Sequence, residues 1–248
     1  MAADSGAPPL WAVVPAAGRG TRMGTGTDLP KQYAALGGTT LIERALATLL
    51  AVPALVGVVI ALAPDDEHFA TLPVSRDPRV HVATGAATRA GSVAAALDHL
   101  AAREPDDARV LVHDAARPLV TLDDIRRLTD VVAAGGAIGG LLAVPVQDTL
   151  KRAGADHRVL ETEPRERLWQ AQTPQLFPLG ALRRALGEAL ADAEGAAAIT
   201  DEASAMERAG HAPQLVEALD PNPKITRRAD LDAAEALLGR LREAARCA

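Results

Sequence analysis

Apolar runs alternate with helical patterns through the first two-thirds of the chain. Trp11–Pro15 is a short apolar run that leads into a Gly-rich segment, and it reads as a first strand. Thr40–Leu50 puts Leu41, Ala45, Leu46 and Leu49 on one helical face. Leu55–Ala63 is a long aliphatic run bounded by Pro53 and Pro64, the pattern of a buried strand. The rhythm continues with a strand at Val80–Ala83, a helix at Ser92–Ala102 that starts near Thr88 or Ser92, and a strand at Arg109–His113. A helix at Leu122–Ala134 and a strand at Ala137–Val144 follow. This alternation predicts an α/β fold built on a Rossmann-like, doubly wound, mostly parallel sheet.

The rhythm then breaks. Pro145–Thr162 mixes polar and β-branched residues around Gly154 and reads as a β-hairpin or arm. Such a segment adds little to the core of its own domain, so it is expected to protrude, over about residues 145–167, and to cover a partner subunit. Leu179–Ala193 and Thr200–Ala209 are helical, Pro213–Ala218 reads as a late strand, and Arg228–Ala245 is a closing amphipathic helix. The expectation is one domain over residues 11–248, preceded by a short disordered leader, 1–10.

Composition narrows the function classes. The chain has 248 residues, 48% hydrophobic and 23% charged, which suits a globular domain with a substantial core. Aromatics are only 2%, so that core must be packed from Ala, Val and Leu. The net charge of −6 argues against a general nucleic-acid binder but permits a local basic pocket for a phosphorylated small molecule. No apolar run approaches the length of about 18 residues that a membrane span needs. The first residues lack the basic-then-apolar order of a secretory signal, so the expected location is cytoplasmic. Cys247 is the sole cysteine, which excludes an intramolecular disulfide and a cysteine-based zinc site.

Three segments carry candidate chemistry. Val13-Val14-Pro15-Ala16-Ala17-Gly18-Arg19-Gly20-Thr21-Arg22-Met23-Gly24 runs from a strand into a Gly-rich turn, where backbone N–H groups can approach phosphate oxygens without a Cβ in the way. Arg22, and Lys31 behind Pro30, add two cations suited to a triphosphate under attack. The dinucleotide fingerprint fails, because its third glycine position is Met23, and the P-loop Gly-Lys-Ser/Thr is absent. In Val110–Pro118, Asp114 lies just past a buried strand, where open parallel sheets carry their ligand crevice. It could hold Mg²⁺ against phosphates or serve only as a cap or turn residue, and Arg117 is placed to help with an anionic substrate. His113 reads as structural. Gly85–Val93 combines small residues that allow a flat base to approach with Ser92 as a hydrogen-bonding group, although any helix start looks similar. Asp230 and Asp232 fall in the closing helical pattern and read as solvated charge.

These segments, with Pro145–Lys151, Leu168–Gln175, Thr200–Ser204 and Asn222–Thr226, occur in an order that resembles the 2-C-methyl-D-erythritol 4-phosphate cytidylyltransferases of non-mevalonate isoprenoid biosynthesis. The resemblance spans roughly residues 11–240. It implies a GT-A-like nucleotidyltransferase fold, CTP and Mg²⁺, and direct attack of the acceptor's phosphate oxygen on the α-phosphorus of CTP. Arg22, Lys31 and Lys224 would stabilise the pentacoordinate phosphorus, and Asp114 would hold the metal. Pro15, Ala16, Ala17, Gly18, Gly20, Gly85, Ala86, Arg89, Ser92, Asp114 and Ala115 would surround the nucleotide. Arg117, Thr149, Arg165, Thr173 and Thr200 would serve the acceptor, with Thr149 and Arg165 reaching across a homodimer on the arm. Relatives often carry Gly-Gly where this chain has Gly85-Ala86, so one methyl must point away from the base. No room is expected for the fused cyclase of bifunctional relatives. Open alternatives are transfer to ribitol 5-phosphate, a sugar-1-phosphate nucleotidyltransferase using another base, and a catalytically inactive nucleotide-binding subunit. Retention of Arg22 and Lys31 argues against the last.

Overall fold

The computed structural model describes residues 6–18 and 29–247, with side chains as far as residue 241. Eleven strands and seven α-helices are present among them: β1 (Leu10–Pro15), β2 (Ala35–Leu36), β3 (Thr39–Thr40), α1 (Leu41–Leu50), β4 (Leu55–Leu62), β5 (Val80–Thr84), α2 (Arg89–Ala101), β6 (Arg109–Val112) and α3 (Leu122–Ala134) in the first part. Then come β7 (Gly140–Pro145), β8 (Leu150–Ala153), β9 (Val159–Glu163), β10 (Trp169–Pro178), α4 (Leu179–Leu190), α5 (Ala193–Ala198), α6 (Glu202–Arg208), β11 (Gln214–Glu217) and α7 (Arg228–Cys247). No described helix is long and apolar enough to cross a membrane.

Seven strands form one sheet in the order β11-β7-β10-β6-β1-β4-β5. β1 pairs in parallel with β4 and β6, β4 with β5, and β7 with β11, while β10 is antiparallel to both neighbours. The α/β, mostly parallel sheet read from the sequence is therefore present. Strand periodicity sorts the core into two layers. Ala12, Val14, Val58 and Ile60 face α1 and α3, joining Ile42, Leu46, Ile125 and Leu128. Trp11, Val13, Val59 and Ala61 face α2 and α4, joining Val93, Leu97, Leu182 and Leu186. Each such buried Leu or Ile contributes on the order of 2 kcal/mol. A third cluster holds the closing helix α7 through Leu231, Ala234 and Leu238 against Leu36, Leu41, Leu119 and Ile225.

The helices begin where side chains satisfy their free N–H groups. Thr40 and Glu43 form a capping box on α1, and Thr88 accepts from the Gly91 N–H at the start of α2. Thr121 caps α3, and Asp201 with Ser204 forms a second capping box on α6.

Three features differ from the sequence reading. β1 begins at Leu10, inside the stretch read as a leader, because Leu10 is buried and the Pro9 carbonyl accepts from the Arg109 N–H at 2.8 Å. The helix expected to run to residue 193 stops at Leu190, and the separate helix α5 is capped by Asp192. β10 is a central strand that the hydrophobic pattern did not reveal. Its polar middle, Gln170-Ala171-Gln172-Thr173-Pro174-Gln175, hides the alternation, and its register shifts between Ala171 and Gln175. The expected arm is a β8–β9 hairpin that forms its own two-stranded sheet. It is exposed along most of its length, and Val159 and Leu160 lie on its surface.

Candidate active site

The parallel strands β1, β4, β5 and β6 all end at one edge of the sheet. β10 runs the other way, so its first half reaches the same edge beside the end of β6. Asp114 lies there, two residues past β6, and is 6% exposed. Its Oδ1 accepts from Arg89 Nε at 2.8 Å, and its Oδ2 lies 2.7 Å from Lys224 Nζ. The two terminal nitrogens of Arg89 donate to the two carboxylate oxygens of Glu202, at 2.7 and 3.0 Å. Four charges of alternating sign thus stand in a row: Glu202, Arg89, Asp114, Lys224. Burial by itself would raise the Asp114 carboxyl. The adjacent Arg89 and Lys224 charges overcome that and hold it below the usual carboxylate range. Burial also disfavours the Arg89 charge, but Glu202 and Asp114 more than restore it.

A ring of buried polar groups fixes the segments that carry Asp114 and Lys224. His113 Nε2 lies 3.0 Å from the Arg117 carbonyl, which only accepts, so Nε2 carries the proton. Nδ1 therefore accepts from the Thr173 hydroxyl at 3.1 Å, and the Thr173 oxygen accepts the Asp114 N–H at 3.0 Å. Asn222 Nδ2 donates to the Thr173 carbonyl at 2.9 Å, and an Arg117 terminal nitrogen donates to the Asn222 carbonyl at 2.6 Å. The ring closes on His113, which is structural, as read. Among the described residues no cluster of three or more metal-ligating side chains forms.

Burial lowers the His113 imidazole from 6.5 to about 4, so it is neutral at physiological pH. The unfolded chain takes up this proton first, so the contribution of His113 is full above pH 6.5 and is lost as pH falls toward 4. The loss is about 3 kcal/mol by the usual conversion of a pKa difference. Denaturant unfolding at a series of pH values should show the stability gap between the natural protein and His113→Gln shrinking between pH 6.5 and 4. A gap independent of pH would show that His113 does not stay neutral.

Two cavities meet at Asp114. One, of about 290 Å³, is bounded by Pro15 at the end of β1 and Ala16, Ala17 and Gly18 after it, by Lys31, and by Ala86, Arg89, Ser92, Asp114, Ala115 and Lys224. The other, of about 220 Å³, is bounded by Arg117, Thr173, Thr200, Gln172 and Asp201, and shares Arg89, Asp114 and Lys224 with the first. Nine of the eleven residues assigned to the nucleotide thus gather at one cavity, and three of those assigned to the acceptor gather at its neighbour. Gly85 is packed behind the first, where a Cβ would come within 2.5 Å of the Ala17 methyl. The Ala86 methyl abuts Gly91, whose own Cβ would lie 2.9 Å from it, so the missing side chain at 91 makes room for alanine at 86. The Ser92 hydroxyl accepts the Ala86 N–H at 3.0 Å and donates to the Thr88 carbonyl at 2.9 Å, which closes this loop onto α2. Thr149 and Arg165 lie on the exposed arm and bound neither cavity. Gly20 and Arg22 lie outside the described residues.

Three working side chains were missed by sequence reasoning. Glu202, quoted within Thr200–Ser204 with no role assigned, takes both ends of the Arg89 fork. Gln32 donates to the Ala16 carbonyl at 2.8 Å and ties the turn of Lys31 to the Gly-rich segment. Gln175 donates to Asp201 Oδ2 at 2.9 Å and accepts the Ala203 N–H at 2.8 Å, so it anchors the segment before α6. Their burial, and hence their need for partners, arises only from tertiary contacts, so no local signal marked them.

A mostly parallel sheet with two cavities at its carboxyl edge, lined by lysines, a held carboxylate and a Gly-rich segment, defines an α/β nucleotidyltransferase. The chain belongs to the 2-C-methyl-D-erythritol 4-phosphate cytidylyltransferase family, whose model matches residues 10–240. It is 50% identical over 226 residues to the 2-C-methyl-D-erythritol 4-phosphate cytidylyltransferase of Pseudomonas fluorescens strain Pf0-1, covering 91% of this chain and 94% of that one. Among solved structures it is similar to a 4-diphosphocytidyl-2C-methyl-D-erythritol synthase, with 35% identity, a TM-score of 0.79, and coverage of 93% and 99% of the two chains. It is also similar to the Francisella tularensis 2-C-methyl-D-erythritol 4-phosphate cytidylyltransferase, with 33% identity, a TM-score of 0.78, and coverage of 92% and 99%.

Proposed function

We propose that this protein transfers CMP from CTP to 2-C-methyl-D-erythritol 4-phosphate, giving 4-diphosphocytidyl-2-C-methyl-D-erythritol and pyrophosphate. An oxygen of the acceptor's phosphate attacks the α-phosphorus of CTP. The new P–O bond forms as the bond to the bridging oxygen of pyrophosphate breaks, and the electron pair leaves with pyrophosphate. The observation that carries the reading is the pair of cavities meeting at Asp114, because a two-substrate displacement needs two sites that share one reacting centre. Lys31 and Lys224 line the first cavity and, with Arg22, supply positive charge to the pentacoordinate phosphorus and the leaving group. Burial of Arg117 Nε and Gln172 Oε1 without protein hydrogen-bond partners, beside the second cavity, suits a polar, anionic acceptor.

A divalent cation, Mg²⁺ by preference, would supply charge neutralisation across the phosphates. Asp114 fits it, because this ion is commonly held by one or two carboxylates together with phosphate oxygens, and the carboxylate stays ionised. The working unit is a homodimer in which Thr149 and Arg165 of the exposed hairpin serve the partner's acceptor cavity. Charged, water-soluble substrates suit a cytoplasmic location.

The reaction is tested by incubating the protein with both substrates and Mg²⁺ and following phosphorus signals by NMR, where a diphosphate diester should appear in step with pyrophosphate. The arm is tested by mixing Lys31→Ala with Arg165→Ala protein. Each alone should be nearly inactive, and the mixture should recover up to about a quarter of normal activity, since half of the dimers are mixed and one of the two sites in each regains both residues. Verified mixed dimers without recovery would show that Arg165 does not act across the dimer.

A further inference from the structure

Glu202 is wholly buried, yet it makes no contact with either substrate cavity. It is the first residue of α6, and its carboxylate takes both ends of the Arg89 fork. A guanidinium is planar, so clamping its two terminal nitrogens also fixes the direction of the third. That third nitrogen, Nε, donates to Asp114 Oδ1. Asp114 is pinned a second time by its own N–H on Thr173. With Oδ1 and the backbone both held, the carboxylate cannot turn. Oδ2 is left facing Lys224, whose side chain is 40% exposed and can move away.

We infer that Glu202 is a positioning residue for the metal-binding carboxylate. Acting through Arg89, it locks Oδ1 of Asp114 and leaves Oδ2 as the oxygen offered to the divalent cation of the incoming nucleotide, in exchange for Lys224. Three of the five N–H donors of Arg89 point at Glu202 and Asp114, so Arg89 orients the carboxylate from the wall of the nucleotide cavity. A buried ion pair is an expensive way to fill space, since well-packed apolar residues of similar volume often stabilise as well or better. A purely architectural role would not require it. The inference rests on the CTP-and-metal reading given above.

The test measures binding of Mn²⁺·CTP by water-proton relaxation and of metal-free CTP by calorimetry. Glu202→Gln, with folding checked by circular dichroism, should weaken Mn²⁺·CTP binding by about 10- to 100-fold, the usual cost of losing a group that orients a metal ligand. Metal-free CTP binding should change less than about twofold, within the usual effect of a residue that does not touch the ligand. In an Asp114→Asn background the same substitution should cost nothing further. If Glu202→Gln does not fold, Glu202→Asp, which keeps the charge but shortens its reach to the Arg89 fork, should give the same selective loss. Unchanged Mn²⁺·CTP affinity would overturn the inference, as would an equal loss of metal-free CTP binding, or an equal loss with Asp114→Asn already present. Failure of the natural protein to bind Mn²⁺·CTP at all would strike the underlying functional reading and not the role of Glu202.

Discussion

Lys31→Ala is expected to lower turnover by about 10³-fold while leaving the protein folded. Lys31 begins the short helical turn Lys31–Tyr33, and its side chain lines the cavity assigned to the nucleotide. The turn itself is held by its neighbours: Gln32 binds the Ala16 carbonyl, and Tyr33 donates to Asp66 Oδ2 at 2.6 Å. Removing the Lys31 ammonium therefore leaves the support of the turn in place. The charge it supplies matters most when negative charge builds on the bridging and equatorial oxygens, so the loss should fall on kcat more than on KM. Arg22→Ala should behave in the same way. Steady-state pyrophosphate release together with thermal melts checks both. Near-normal turnover in either variant would remove that cation from the catalytic assignment.

Asp114→Asn is the second large effect. It keeps the shape of the side chain and the backbone N–H to Thr173, but it removes the charge that Arg89 and Lys224 share. Turnover should fall on the order of 10³-fold, as expected for loss of a group that holds charge against the phosphates. The stability cost should be about 1–3 kcal/mol, below the 3–5 typical of a broken buried pair, because Arg89 keeps Glu202 and Lys224 can turn to water. The pH dependence has a definite sign. The Asp114 carboxyl is held below its ordinary value of 3.8, so its contribution is complete above that pH and is lost only in stronger acid. No loss of activity from Asp114 protonation should therefore appear between pH 5 and 8. Activity and unfolding free energy of Asp114→Asn, measured across that range, check both statements.

The parallel half of the sheet was legible because its strands are aliphatic runs bounded by turn residues, and its helices carry clear caps. β10 was not legible. It is central but antiparallel, and its polar residues face the site: Thr173 serves His113 and Asp114, and Gln175 holds the start of α6. A strand that gives its side chains to a polar network loses the alternation by which strands are recognised. Asp114 and Lys224 were legible as charges within motifs, but their direct contact was not, since 110 positions separate them in the sequence. Ser92 and Thr173 line the two cavities, but a second use of their hydroxyls was not legible. The structure shows their hydroxyls used on the protein's own backbone and on His113, work that depends on tertiary contacts no local pattern encodes. Glu202 is the clearest case. Its importance comes from reaching Arg89 across 113 positions of chain.

The central claim is most directly tested by pyrophosphate release with CTP, Mg²⁺ and a panel of polyol phosphates under identical conditions. The account predicts that 2-C-methyl-D-erythritol 4-phosphate is the preferred acceptor, that ribitol 5-phosphate has a kcat/KM lower by at least about tenfold, and that replacing CTP by ATP, GTP or UTP abolishes most of the signal. Release that favours ribitol 5-phosphate, or no release with 2-C-methyl-D-erythritol 4-phosphate, would contradict it.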